Sequence, residues 1–234
     1  MEKKFFTEVT ILLLPPLFNQ INFKNNGTFF LGLNEIAKTK DLFSNLKIEE
    51  KKDYNSFVKK INEEDFSENV IEIINKEIDN KKVNSLNDLN VILVNYPINK
   101  NQFISLESKL ESFDIKISKM IISNLSSFDI LTKTKSKNFL CPICLKSYDR
   151  EINFFDNEYI CPLDDEKFSI SQINKFTSFF TDYYLHNSLE VIQNFADSEK
   201  EEKHKKRKMF PLTIESEDNI EENLKKDLIN IIKD

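Results

Sequence analysis

Val9-Thr10-Ile11-Leu12-Leu13-Leu14-Pro15-Pro16 is the stretch on which the fold class turns. Its apolar and β-branched run lacks the polar alternation of a half-exposed strand, which predicts a parallel strand buried on both faces. The two prolines end it sharply. Val91 to Val94, closed by Asn95-Tyr96-Pro97, and Met120 to Leu125 repeat the pattern. Between the runs lie segments with helical apolar spacing: Phe57 and Ile61, then Val70, Ile71, Ile74 and Ile78. Gln102 to Phe113 has Phe103, Leu106 and Leu110 on one side, and another helix begins over Ser127 to Thr134.

Further along, Ile170 to Leu185 reads as a Phe/Tyr-rich helix and Leu189 to Phe195 as a fourth core strand. Lys200 to Lys208 reads as a charged, exposed loop and Phe210 to Ile214 as a strand. Asn219 to Ile232 reads as an amphipathic helix carrying Ile220, Leu224, Leu228 and Ile231. Strands alternating with helices predict an α/β fold with a parallel sheet covered on both faces.

The 40 % apolar content supports a real core, to which 21 phenylalanines contribute much of the volume in the absence of tryptophan. Only 2 glycines occur in 234 residues, against a usual ~7 %. A glycine-rich phosphate loop therefore has little to be built from. A net charge of −6 gives no general attraction to nucleic acid. No apolar run reaches the ~20 residues needed to span a bilayer. Lys3-Lys4 before Val9 to Leu14 imitates a secretory signal only weakly, since the apolar stretch is short and no small-residue cleavage site follows. A reducing, cytoplasmic setting is expected.

All 3 cysteines fall in one constellation, Cys141-Pro-Ile-Cys144 and Cys161-Pro-Leu-Asp164. Two residues separate the members of each pair and sixteen separate the pairs, a spacing that suits two knuckles around one tetrahedral Zn²⁺. Thiolates are soft ligands that Zn²⁺ prefers, and an aspartate can complete the set. Four protein ligands make a closed, structural site with no open position for catalysis. Asp165 is the neighbouring substitute for Asp164. An odd thiol count argues against a disulfide framework.

The order of these elements resembles adenylate kinase, in the bacterial form with a zinc-bearing lid. Cys141 to Cys144 with Tyr148 resembles the first knuckle and the tyrosine beyond it, and Cys161-Pro-Leu-Asp164 the second knuckle in its aspartate variant. Asn153-Phe154 matches the lid centre in part, and Asp182-Tyr183-Tyr184 resembles the end of the helix after the lid. Ile92 to Pro97 aligns with the family's strand ending in Asp-Gly-Phe-Pro-Arg. The resemblance implies a P-loop-kinase-like parallel sheet flanked by helices with an inserted zinc-ribbon lid. It divides the chain into a core over 1–138 that includes a monophosphate-binding-like segment, a lid over 139–168 and a completion of the core over 169–234. The stretch from Asn194 to Asp218 stands as a charged insertion.

The departures concern catalysis. Where the family carries Gly-x-Pro-Gly-x-Gly-Lys-Gly-Thr, this chain has Pro15 to Phe23 with no glycine, no lysine and no hydroxyl for Mg²⁺. The strand aspartate becomes Val94 and the arginine after the proline becomes Ile98. Ser136-Lys137-Asn138 offers only a lysine before the lid, and Ser169 stands near the place of an arginine after it. The only arginines, Arg150 and Arg207, fall at no matching site. Phosphoryl transfer depends on positioning and on charge stabilisation of the transferring group. Losing these groups together removes on the order of 10 kcal/mol, about seven powers of ten in rate.

The expected function is therefore a non-catalytic, zinc-binding structural or accessory subunit of a larger protein assembly, with no catalytic or nucleotide-binding residues. One alternative is an ATP:AMP phosphotransferase with residual nucleotide binding, using Lys38 or Lys137 as phosphate contacts. Another is a zinc-ribbon component of a ribonucleoprotein that uses the basic run Lys203 to Lys208. Flanking Glu199, Glu201 and Glu202 favour a solvated loop for that run. His186 and His204 read as exposed, Glu63-Glu64-Asp65 as a solvated helix face, and Phe176, Phe179 and Phe180 as core.

Overall fold

The computed structural model describes residues 6–18, 28–38, 61, 63–83, 88–125, 128–142, 144–163, 165–198, 207–214 and 226–231. Five strands form one parallel sheet: β1 (Phe6–Leu13), β2 (Thr28–Gly32), β3 (Asp88–Val94), β4 (Lys116–Leu125) and β10 (Lys208–Ile214). Their spatial order is β10-β4-β1-β3-β2, so β1 lies at the centre. Around the sheet lie α1 (Leu33–Lys38), α2 (Ser67–Val83), α3 (Lys100–Ser112), α4 (Phe128–Lys137) and α5 (Ile170–Ser198). Inserted between α4 and α5 are five short strands: β5 (Asn138–Leu140), β6 (Ser147–Asp149), β7 (Phe154–Phe155), β8 (Glu158–Ile160) and β9 (Lys167–Ser169). The expected α/β class with a helix-flanked parallel sheet is what forms, and it is compatible with a P-loop-like arrangement.

The central strands divide their side chains by parity, as a period of two requires. Val9, Ile11 and Leu13 join Val91, Leu93 and Met120 in the larger apolar cluster with α2, α3 and α5. Leu12 and Leu14 join Ile92, Val94 and Ile121 in a second cluster on the other face. Leu212 of β10 and Leu228, from the helical residues 226–231, complete that second cluster. A strand buried at every position from Val9 to Leu14 is thus consumed on both sides, which is why the run is almost continuously apolar, with only Thr10 polar, rather than alternating.

Two elements differ from expectation. Thr28–Gly32 forms the edge strand β2, pairing in parallel with β3 so that Phe29 faces Val91. Its three-residue apolar run, Phe29 to Leu31, is too short to be distinguished by periodicity, yet Phe29 packs on one cluster and Phe30 on the other. The fourth core strand expected over Leu189 to Phe195 does not form. Those residues continue α5, which runs unbroken for 29 residues. Its buried positions Ile173, Phe176, Phe180, Tyr184, Ser188, Val191 and Phe195 recur every three or four residues, and neither glycine nor proline interrupts them. Leu189 falls outside that phase and is exposed.

Asp65 is not simply part of a solvated face. One carboxylate oxygen accepts the Ser67 amide at the start of α2, and the other accepts the Ser105 hydroxyl and the Lys109 ammonium. Arg207, expected in an exposed loop, is buried. Its guanidinium lies 5.3 Å from the centre of the Phe195 ring and pairs with Glu107 and the Ser198 hydroxyl. Phe57, Lys203 to Lys206, His204, Ile220 and Leu224 lie outside the described residues. Among the described residues no helix is long and apolar enough to cross a membrane.

Phe195→Ala is expected to destabilise the fold by about 3–5 kcal/mol and Leu189→Gln by no more than about 0.5 kcal/mol. Equal losses in denaturant melts would restore the buried-strand reading of this segment. Burial raises the Asp65 pKa, but the bonds from Ser67, Ser105 and Lys109 outweigh it and hold the carboxyl well below the usual range. A depressed carboxylate stabilises the fold above its unfolded pKa, near ~3.9, and that stability is lost as pH falls through the folded value. Asp65→Asn should therefore cost about 1 kcal/mol at neutral pH, given the partial exposure of the group, and the deficit should shrink below about pH 4.

Candidate metal centre

Cys141 and Cys161 open two turns with the same backbone frame. The Cys141 amide donates to the Lys146 carbonyl at 2.9 Å and the Leu145 amide to the Cys141 carbonyl at 3.0 Å. The Cys161 amide donates to the Glu166 carbonyl at 2.9 Å and the Asp165 amide to the Cys161 carbonyl at 2.9 Å. Offsets of five and four residues repeat in both turns. Leu145 and Asp165 take positive φ of 54° and 58° at matching places. Such a turn folds the chain back so that Cys141 and Cys144, positions one and four of the first unit, approach one another.

The result is a cluster of Cys141, Cys144 and Cys161 Sγ atoms, all within 4.8 Å of one another and all buried. Cys144 and Cys161 sulfurs lie 3.7 Å apart. Disulfide sulfurs lie ~2.05 Å apart, whereas tetrahedral Zn–S bonds of ~2.3 Å place two sulfurs about 3.8 Å apart. The three thiols are thus close enough to hold a metal ion, and their separation fits coordination rather than covalent bonding. Asp164 lies outside the described residues. Asp165 holds the place that Leu145 holds in the first turn, and it is exposed.

The thiols do not share protons evenly. Hydrogen bonds from Cys141 and Cys161 lower the pKa of Cys144. Burial pushes Cys141 well above the ordinary thiol range, and the neighbouring sulfurs reinforce that shift. The Tyr148 hydroxyl stands 3.3 Å from Cys144 Sγ and can donate to its thiolate. Burial raises the Tyr148 pKa, as does the neighbouring Cys144, so the phenol keeps its proton. Binding a cation would release the remaining thiol protons.

An aromatic shell carries the cluster. Phe139 packs against Tyr148 and Tyr159 with ring centres 5.7 and 4.8 Å away, and Phe154 packs against Tyr159 at 5.0 Å. Arg150 locks this shell to the end of α4 and the start of β5. Its Nε donates to the carbonyls of Lys135 and Asn138 at 3.0 Å, its Nη1 to the Tyr159 hydroxyl at 3.1 Å, and its carbon lies 5.3 Å from that ring's centre. The cysteine spacing is readable in the sequence. The roles of Phe139, Tyr159 and Arg150 are not, because they arise from pairing between strands of two residues or three.

The cluster sits beside the carboxyl ends of the central strands, where open α/β sheets commonly bind ligands. Strand order reverses at β1, and there Pro16–Phe18 forms a 3₁₀ turn packed against α5, β5 and β6. Pro15, Pro16 and Leu17 are buried. Asn95 Oδ1 accepts the Leu14 amide at 2.8 Å and the Tyr184 hydroxyl at 2.9 Å, while the Asn95 amide donates to the Leu12 carbonyl at 2.9 Å. Leu140 and Leu145 of the inserted module share the main cluster with Leu17, Phe176, Phe180 and Tyr184. The Leu140 amide donates to Thr177 Oγ1 at 3.1 Å.

Residues Asn19 to Phe23 and the side chain of Lys38 lie outside the described residues. Lys137 is exposed at the end of α4, and His186 is exposed on α5. Phe176 and Phe180 are core, with Phe179 partly buried against Tyr183. No family model matches the chain, and no curated protein matches it.

Tyr148→Phe is expected to weaken metal binding about 10-fold without changing its stoichiometry, as loss of an outer hydrogen bond commonly does. Competition with a chromophoric chelator measures this. Unchanged affinity would show that the phenol does not act on the Cys144 sulfur.

Proposed function

We propose that this chain is a non-catalytic, adenylate-kinase-like protein that binds one structural Zn²⁺ and serves as an accessory subunit of a larger protein assembly. Cys141, Cys144, Cys161 and Asp164 would form the ligand set. The matched turns support Asp164, because position 164 in the second turn corresponds to Cys144 in the first. The observation that carries the reading is the apolar plug of Pro15, Pro16 and Leu17 at the end of β1, where a phosphate cradle would need open backbone amides.

Three further features favour it. Val94 and Ile98, at the places of the family's aspartate and arginine, are buried in apolar clusters. Asn95 adopts φ 58° at the place of the motif's glycine, a left-handed conformation that asparagine tolerates better than most residues. Both arginines of the chain are engaged in structural contacts, Arg150 on the aromatic shell and Arg207 between Phe195 and Glu107. The body of a kinase would thereby be kept while the arginines that could stabilise a transferring phosphoryl group are engaged elsewhere.

Zinc here would supply folding energy rather than chemistry, on the order of 10–16 kcal/mol of apparent binding at neutral pH. A coupled assay with ATP, AMP and Mg²⁺ is expected to give no ADP above background, and calorimetry no saturable heat with either nucleotide. Turnover that follows the protein through purification and disappears on Lys137→Ala would establish the kinase reading instead.

A further inference from the structure

The inserted module presents its own apolar side chains to solvent in a held geometry. Ile152 and Phe155 are 70 % and 60 % exposed, and both lie in the segment joining β6 to β8. Isolated exposed apolar residues are ordinary; two in one short, well-ordered hairpin are less so. Asp149 Oδ1 accepts the amides of Glu151 at 2.7 Å and Ile152 at 3.3 Å, while Asn153 Nδ2 donates to the Asp149 carbonyl at 2.9 Å. Asp156 and Asn157 both take positive φ, 50° and 65°, as the tight two-residue turn between β7 and β8 requires. Phe154 turns inward onto Tyr159, so alternation along β7 sends Phe155 outward.

Charge around these two side chains is mainly acidic. Asp149, Glu151, Asp156 and Glu158 lie in residues 149–158, Lys167 of β9 pairs with Glu158 at 3.7 Å, and the other cation is Arg150. That cation faces Tyr159 and the carbonyls of Lys135 and Asn138, so it does not offset the exposed carboxylates. Such a surface repels phosphate backbones and anionic lipid headgroups. It complements a protein surface that offers cations around an apolar recess, and its rigidity keeps the ordering cost of binding low.

We infer that the Ile152–Phe155 hairpin is a docking knob for a partner protein with a basic, apolar-centred surface. This deepens the proposed accessory role by naming the chemistry of the partner and the face that meets it.

The test places a photo-crosslinker in the full-length chain as Phe155→p-benzoylphenylalanine and irradiates it in extract of its native cells. The expected product is a single protein crosslinked through a peptide that contains lysine or arginine beside apolar residues. Its yield should fall about 5–10-fold in 0.5 M salt and in the Glu151→Gln/Asp156→Asn background. Crosslinks to nucleic acid, to lipid or to a second copy of this chain would overturn the inference, as would a yield indifferent to salt and to those substitutions. A parallel arm compares wild type with Ile152→Ser/Phe155→Ser, whose metal stoichiometry and melting temperature should be unchanged. A complex that purifies equally well with both sinks the docking surface while leaving the accessory role standing. Nucleotide turnover sinks that role by a separate measurement.

Discussion

Asn95 ties together three parts of the chain that are far apart in sequence. Its amide closes onto β1 at Leu12, while its side-chain oxygen receives the Leu14 amide and the Tyr184 hydroxyl. These groups are buried, so each would carry a desolvation penalty if left unpaired, on the order of 1–3 kcal/mol. The bonds therefore fix where β1 ends, how β3 leaves the sheet and where α5 crosses. Burial also raises the pKa of Tyr184, so its hydroxyl remains a donor throughout the physiological range. The apolar turn Pro16–Phe18 and the inserted module are placed by that arrangement.

The same geometry turns a potential ligand crevice into packed interior. Leu17 and the module's Leu140 and Leu145 share one cluster with Phe176, Phe180 and Tyr184. Burying each leucine contributes roughly 1.5–3 kcal/mol. Opening the crevice would expose these side chains together, in contrast to a hinged lid that closes over a polar cleft. The cysteine cluster and the strand ends are accordingly parts of one packed unit.

Much of this was legible from residue order. The mostly apolar runs at Val9, Val91 and Met120 marked the interior strands, because double-sided burial leaves few polar positions. The paired Cys-Pro turns marked the cluster of three cysteines, since their spacing is local. Features set by distant partners were hidden. Leu189 to Phe195 carries β-branched and aromatic residues that suit a strand, but its helical phase is continuous with Tyr184 and Ser188 upstream. The edge strand at Thr28 is too short to declare a period. Arg207 looked like one member of a basic run, and only the approach of Glu107, 100 residues earlier, makes it an interior cation.

The outermost strand also bears on how copies of this chain meet. Pro211 sits within β10, opposite Ile122 of β4, and β10 ends the sheet among the described strands. Proline brings no amide hydrogen, so the rim offers an interrupted row of donors to any incoming strand. Sheet extension into fibres or edge-paired dimers is discouraged at that edge.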